Sequence, residues 1–456
     1  GGTSSRGSYP LPPWFNSMRE SMRRLTQTLR RRSGAAKLTH AARRSHSTQT
    51  SAAMEREFTS KHARAMGLQK LLRDYGSRST SPLSINQMYD FGQYDAPGRN
   101  RATTLLAAAQ FVHEELPVRC SHLIQDLMTL PFGLSQNSAI QEVVELFHTT
   151  IREIIADPRP KSSEEEEKLR LKIMGMLRRH RNIVTHMRSA LAGDLLSSEE
   201  KLQLQPFLDR FYATRIGNRT MLAHYVQLGE EPQEDWVGLI NDKCRISQVV
   251  QNAYGIAVDV CRYHHDINPP ALTLLGSTEC ELRYFESHIE YLLTEILHNS
   301  IYSTWKHHSP EDSKQVCPPL PAITVIIADG KDDISISISD QGGGFGRKHL
   351  NSIWTHLHFP EEDFTHHSTK AIEKDQIKFA ANEDECSPLI NGYSRHSPRL
   401  ARNGLPVCRL YARHFGGDLT IQVMENHGTD VFVTIPKDGE VPEALPESLV
   451  GEVELA

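Results

Sequence analysis

The chain has 456 residues, 38% hydrophobic and 23% charged, with a formal net charge of −5. That length exceeds one small core and suits two or three domains. Basic residues gather only near the N-terminus, without interleaved aromatics, which argues against a nucleic-acid surface, and no apolar run reaches the roughly 18–20 residues of a membrane-spanning helix.

The first fifty residues, with SMRRLTQTLRRRSGAAKLTHAARRSHSTQTSAA, are rich in Arg, Ser, Thr and Ala, and Glu20 is their nearest acid. This is the composition of a mitochondrial transit peptide, expected over residues 1–53 with cleavage between Ser45 and Ala53; a disordered basic tail is the alternative. From Thr103 to Gln227 apolar residues recur at three- and four-residue steps. Four antiparallel helices packed as a bundle are predicted within 54–230, with the first interrupted at Pro117. The third begins SSEEEE and carries its bases later, an order that suits the helix dipole.

Beyond Gly229-Glu230-Glu231-Pro232, helical stretches near Ile246–Tyr263 and Phe285–Trp305 alternate with strand-like runs. AITVIIAD (Ala322–Asp329) and DISISISD (Asp333–Asp340) are β-branched, the second alternating Ile with Ser. GLPVCRLYARHFGG predicts a helix ended by Gly416-Gly417, and DLTIQVMENHGTDVFVTIP predicts a hairpin around Glu425–Gly428. An α/β sandwich over 231–437 follows, with helices on one face of a mixed sheet. Residues 350–403, polar and histidine-rich, predict a long lid, and the Pro/Glu-rich end from Asp438 predicts a flexible acidic tail over 438–456.

Seven cysteines without a C-x-x-C pair fit reduced thiols better than a disulfide framework or zinc site. The histidine pairs at 264–265, 307–308 and 366–367, with His356 and His358, lack the i, i+4 spacing and third ligand of a metal site and read as solvated loop residues.

Three features in chain order carry chemistry. EILHNSIYSTW places Glu295 and Asn299 four residues apart, sharing one helical face. SDQGGGFG follows a strand directly, so Asp340 can accept a hydrogen bond from an adenine amino group while Gly342, Gly343 and Gly344 let the backbone approach a flat base. The helix opening after Gly404 turns unpaired N–H groups and a positive dipole end toward phosphates. Asn299 can hold Mg²⁺ through its amide oxygen, and Glu295 can take a proton from an attacking hydroxyl.

This triad resembles that of the GHKL ATPases, and within them the mitochondrial 2-oxo-acid dehydrogenase kinases. SPLSINQMYDFGQ, EELPVRCSHLIQDLMTLP, PFLDRFYATRIGNRTML, EILHNS, ISDQGGGF, GLPVCRLYARHFGGDL and GTDVFV carry the likeness from Ser81 to Pro436. The resemblance implies an α+β two-domain chain: an N-terminal four-helix bundle followed by a GHKL (Bergerat-type) α/β sandwich that binds ATP. It implies Glu295 as general base, Asn299 as Mg²⁺ ligand, Asp340 as adenine-binding acid and Gly342 and Gly344 beside the base. Thr429 falls near the adenine, and Gly404 and Leu405 open the helix under the phosphates.

The implied activity is that of a mitochondrial matrix serine kinase that phosphorylates and inactivates the decarboxylase subunit of the pyruvate dehydrogenase complex. Its partners would be the lipoyl domain of the acyltransferase subunit, held around Leu130–Leu134, and a second copy, paired through the sheet. A branched-chain 2-oxo-acid dehydrogenase kinase and a catalytically weak ATP-binding scaffold are the alternatives. A histidine kinase is disfavoured, because no upstream helix carries a Ser-His-Glu phosphoacceptor.

The sequence also departs from the family. Leu400, Ala401, Arg402 and Asn403 precede Gly404 where a glycine-rich run is usual, and bulky side chains there hinder close backbone approach to the β- and γ-phosphates. His298 stands where a lysine is usual, and a phosphate can still use it when protonated. Tyr291 stands where pyruvate-type members tend to have His and branched-chain members an aromatic. The C-terminal Asp-Trp pair of many pyruvate-specific members is absent from this sequence.

Overall fold

The computed structural model describes residues 67–94, 100–191, 196–265, 268–309, 319–350, 352–356 and 404–445. The expected transit peptide, most of the long lid, the Leu400–Asn403 run and the end beyond 445 lie outside the described residues. The chain forms two compact units, 1–69 and 70–456. All elements below belong to the second.

Helix α1 (Ile85–Gly92) starts at a capping box in which Ser84 and Gln87 satisfy each other's backbone N–H. Asn100 and Thr103 do the same for α2 (Arg101–Met128). Contrary to expectation, Pro117 does not interrupt α2, which runs through it. An interior proline costs about 3 kcal/mol or more. Here Leu116, Leu123, Ile124 and Leu127, buried around it, offset that cost. The Ser121 hydroxyl also donates to the Pro117 carbonyl at 2.7 Å.

Helix α3 (Ser138–Ile155) is capped by Asn137, and α4 (Ser163–Arg179) by Ser162, with Glu164–Glu166 in its first turn and Arg178 and Arg179 in its last. The third predicted helix is in fact two, since a 3₁₀ turn at His180–Asn182 separates α4 from α5 (Ile183–Leu191). Helix α6 (Ser198–Leu228) closes the bundle behind a Ser197–Glu200 capping box. Its core joins Ile124, Ile140, Ile151, Ile173, Met187 and Leu208, and Phe147 meets Phe211 edge-on.

Strands β1 (Trp236–Val237), β2 (Ile240–Arg245) and β4 (Glu281–Tyr284) form a small antiparallel sheet. The main sheet runs β3-β5-β6-β8-β7, from β3 (Leu272–Gly276), β5 (Ile323–Asp329), β6 (Asp333–Asp340), β7 (Asp418–Met424) and β8 (Gly428–Pro436). It is mixed: β3 is parallel to β5, and the other pairs are antiparallel. The Ile–Ser alternation of β6 turns Ile334, Ile336 and Ile338 inward, beside Val431, Val433 and Ile435, and leaves the serines on the outer face. Helices α8 (Glu286–His308) and α9 (Gly404–Arg413) pack on the inner face, and α7 (Ile246–His265) packs along α8. The outer face exposes Leu275, Ile326 and Met424.

The segment after β8, expected to belong to a flexible tail, is docked over 438–445. Pro442 bridges Ser84, and Glu443 exchanges hydrogen bonds with Leu83. Glu443 also receives a bidentate pair from Arg119 of α2 at 2.6 and 3.1 Å. Arg119 is fully buried and further donates to Glu115 at 2.8 Å and to the Ser81 carbonyl at 2.8 Å.

Candidate active site

One helix, α8, supplies the reactive side. Glu295 is 3% exposed, whereas Asn299, one turn later, is exposed. The two lie on adjoining stripes of α8. His298, like Glu295, is buried, and of the three only Asn299 opens to solvent. Tyr291, the turn before Glu295, is buried and lies against Tyr411 of α9, with ring centroids 4.7 Å apart. The same helix carries Cys408, whose buried thiol is pushed well above its ordinary pKa by burial and then by the Glu295 charge. Gly404 and Leu405 therefore open the helix that flanks the proposed base. Gly404 takes φ +71°, the left-handed conformation that glycine adopts freely.

The candidate base site lies at the end of β6. Asp340 is 8% exposed. Its Oδ1 accepts from Gly342 N–H at 2.9 Å and Thr429 N–H at 3.3 Å, and its Oδ2 accepts from the Ser300 hydroxyl at 2.9 Å. Burial pushes its carboxyl above the ordinary range; these three donors pull it back, and the Asp430 charge adds to the rise.

The glycines beside it are sterically required. A Cβ on Gly342 would collide with Ser303 of α8, and one on Gly428 would fall on the Asp340 carbonyl oxygen. Gly344 has φ +59°, and its missing Cβ leaves room for the carbonyls of Met424 and Gly428. Asp340, Gly342 and Thr429 are thus joined directly, while Gly344 completes the loop. Ser300 is the residue that sequence reasoning missed. Its one signal was a small polar side chain immediately after Asn299.

A carboxylate held by fixed donors at a strand end, a glycine turn against it, an exposed amide and a nearby helix N-terminus together suit a purine nucleotide with its phosphates. Among the described residues, no group of three or more His, Cys, Asp or Glu is placed to hold a metal by itself. Asn299 offers an oxygen ligand to a cation that arrives with phosphates.

Comparison with known proteins agrees with this geometry. Residues 82–241 match the family model described as mitochondrial branched-chain alpha-ketoacid dehydrogenase kinase, and 286–439 match the histidine kinase-, DNA gyrase B- and HSP90-like ATPase model. A mitochondrial [pyruvate dehydrogenase (acetyl-transferring)] kinase of Arabidopsis thaliana is 31% identical over 377 residues, covering 82% of this chain and 94% of the relative. The chain belongs to the mitochondrial 2-oxo-acid dehydrogenase kinase family.

A relative of that family from Schizosaccharomyces pombe, with the same printed name, is 28% identical over 430 residues, covering 80% of this chain and 95% of its own. The human [pyruvate dehydrogenase (acetyl-transferring)] kinase isozyme 4, mitochondrial, is 27% identical over 389 residues, covering 81% and 84%. The two family models divide this kinase chain near the bundle–sheet junction, and the second spans all the described site residues.

Proposed function

We propose that this chain is a mitochondrial matrix serine kinase that transfers the γ-phosphoryl group of Mg-ATP to the decarboxylase subunit of the pyruvate dehydrogenase complex and so inactivates it. The observation that carries the reading is the pairing, on one helix, of a buried carboxylate with an exposed amide beside an aspartate fixed by three donors. The residues fit the nucleotide: Asp340, held by three donors, keeps an acceptor site for a base amine, and the exposed Asn299 offers an oxygen to a cation on the phosphates.

In this reading Asp340 accepts from the exocyclic amine of the base, and Gly342, Gly344 and Thr429 shape the slot around it. The N–H groups that open α9 at Gly404 and Leu405 face the phosphates. Asn299 holds Mg²⁺, which supplies charge neutralisation on the phosphate oxygens. Glu295 accepts the proton of the substrate serine as the hydroxyl attacks, from a position shielded from bulk water. Positioning and charge placement dominate catalysis of this kind.

Partners follow from surfaces. Phe132 stands 41% exposed at φ 58° on the turn after α2, between buried Leu130 and Leu134, and offers an apolar prong to a lipoyl domain. The outer sheet face, with Leu275 and Ile326 paired side by side, suits a second copy. We take residues 54–230 as the docking bundle and 231–437 as the catalytic domain.

A branched-chain complex is the second reading. It is favoured by the buried aromatic Tyr291 one turn before the base and by the family model over 82–241.

The test supplies labelled Mg-ATP with purified pyruvate and branched-chain complexes in separate tubes. Label should enter the pyruvate decarboxylase subunit and be lost with Glu295→Gln. Label on the branched-chain subunit alone would transfer the assignment to that complex. Bound nucleotide with no label on either would leave the scaffold reading standing.

A further inference from the structure

We infer that Ser300 is a positioning residue for base recognition: its hydroxyl fixes one carboxylate oxygen of Asp340 so that a single remaining lone pair faces the exocyclic amine of an adenine. The inference rests on the nucleotide-binding reading above and adds a residue on α8 to it.

Two other hydroxyls on α8 set Ser300 apart. A serine or threonine inside a helix ordinarily bonds back to a carbonyl three or four residues earlier. Thr294 does so, to Glu290 at 2.7 Å, and Ser303 does so, to Ser300 at 3.3 Å. Ser300 instead reaches across to β6 and donates to Asp340 Oδ2 at 2.9 Å. It is 2% exposed, so water does not compete for that bond.

The count of acceptor sites gives the bond its consequence. An ionised carboxylate has about four lone-pair sites and donates nothing, so Ser300 must be the donor. Two sites, both on Oδ1, are taken by the backbone N–H groups of Gly342 and Thr429. The Ser300 hydroxyl takes a third, on Oδ2. One site on Oδ2 remains, and with both oxygens tethered the carboxylate cannot rotate about its Cβ–Cγ bond to present it elsewhere. Without Ser300, Oδ2 is free to swing, and the buried carboxyl loses a donor that favours its charged form.

The experiment uses the full chain and two ligands, ATP and purine riboside triphosphate, whose base lacks the exocyclic amine. Dissociation constants are measured for the native chain and for Ser300→Ala, Ser300→Cys and Ser300→Thr. The native chain should prefer ATP. Ser300→Ala should weaken ATP by about tenfold, the scale of one hydrogen bond to a charged group, and move the analogue less than about twofold, so the preference collapses.

Ser300→Thr keeps the hydroxyl and should keep the preference. Ser300→Cys keeps the volume with a weaker donor and should fall between; it carries the test if the alanine variant does not fold. An unchanged preference in the alanine and cysteine variants, whether both ligands weaken together or neither does, would show Ser300 to be structural and overturn the inference. Tighter ATP binding by Ser300→Ala would overturn it too, by showing that the hydroxyl competes with the base. A native chain that binds neither ligand, or both equally, would refute the assignment of Asp340 itself, a failure visible before any variant is made.

Discussion

Gly428 begins β8 where a Cβ would fall on the carbonyl oxygen of Asp340, so a single methyl group there has to push the base pocket open. Gly428→Ala should therefore lower stability by about 1–3 kcal/mol, the usual cost of overpacking, and weaken nucleotide binding at the same time. Gly255→Ala is the matched control. Gly255 lies in α7 with nothing within 4 Å of its added Cβ, and alanine there should hold or slightly raise stability. Urea titration and nucleotide affinity on both variants check this, and equal effects at the two sites would refute it. At this scale the sequence was informative wherever chemistry demanded a particular residue type. Asp340, Gly342, Gly344 and Glu295 stood out because few other residue types suit the roles proposed for them. Ser300 did not, because HNSIYST offers two serines with the same propensities. Only the fold shows that one bonds its own helix and the other bonds Asp340.

Among elements, β6 was legible because its two faces differ: one is buried against α8 and the other is half-exposed, which imposes strict Ile–Ser alternation. Strands β1, β2 and β4 were not, because they are two, six and four residues long and their pairing is irregular between Asn241 and Cys244. The segment 438–445 was misread for a different reason. Its Pro/Glu-rich composition matches a solvated tail, and nothing local records that Arg119, 324 positions earlier, is waiting for one of those acids. Glu443→Gln leaves that buried guanidinium short of a counter-charge, and losing one partner of a buried pair costs about 3–5 kcal/mol. We expect a fall of that size in unfolding free energy, with Gly217, packed against Glu443 on α6, losing amide-exchange protection. A loss below about 1 kcal/mol would show that the segment is merely laid on the surface.

For the molecule as a whole, four buried histidines set the response to acid among the described residues. Burial, with neighbouring arginine charge, holds His180 and His414 down to about 3, burial holds His224 down to about 4, and burial with the His414 charge holds His288 well below the ordinary range. Unfolded, each imidazole returns to an ordinary value near 6.5. Between those values the unfolded chain binds protons that the folded chain refuses, so stability rises with pH. The stabilisation is fully present above about pH 6.5 and is lost progressively as pH falls toward the folded values. Each histidine contributes a slope approaching about 1.4 kcal/mol per pH unit. Unfolding free energies from urea titration at pH 7.5 and 5.5 should therefore differ by roughly 4–5 kcal/mol. Equal values would mean that these rings are already open to water.

The docking of Glu443 onto Arg119 also makes the native state a matter of timing. A chain emerging from a ribosome at about 5–20 residues per second exposes Arg119 for roughly 20–60 s before Glu443 is synthesised. Throughout that interval Arg119 has only Glu115 of its own helix as a counter-charge, and α2 lacks the segment that completes its burial. Closure of so long a loop is slow. Helices that look self-sufficient are completed by a residue made 324 positions later.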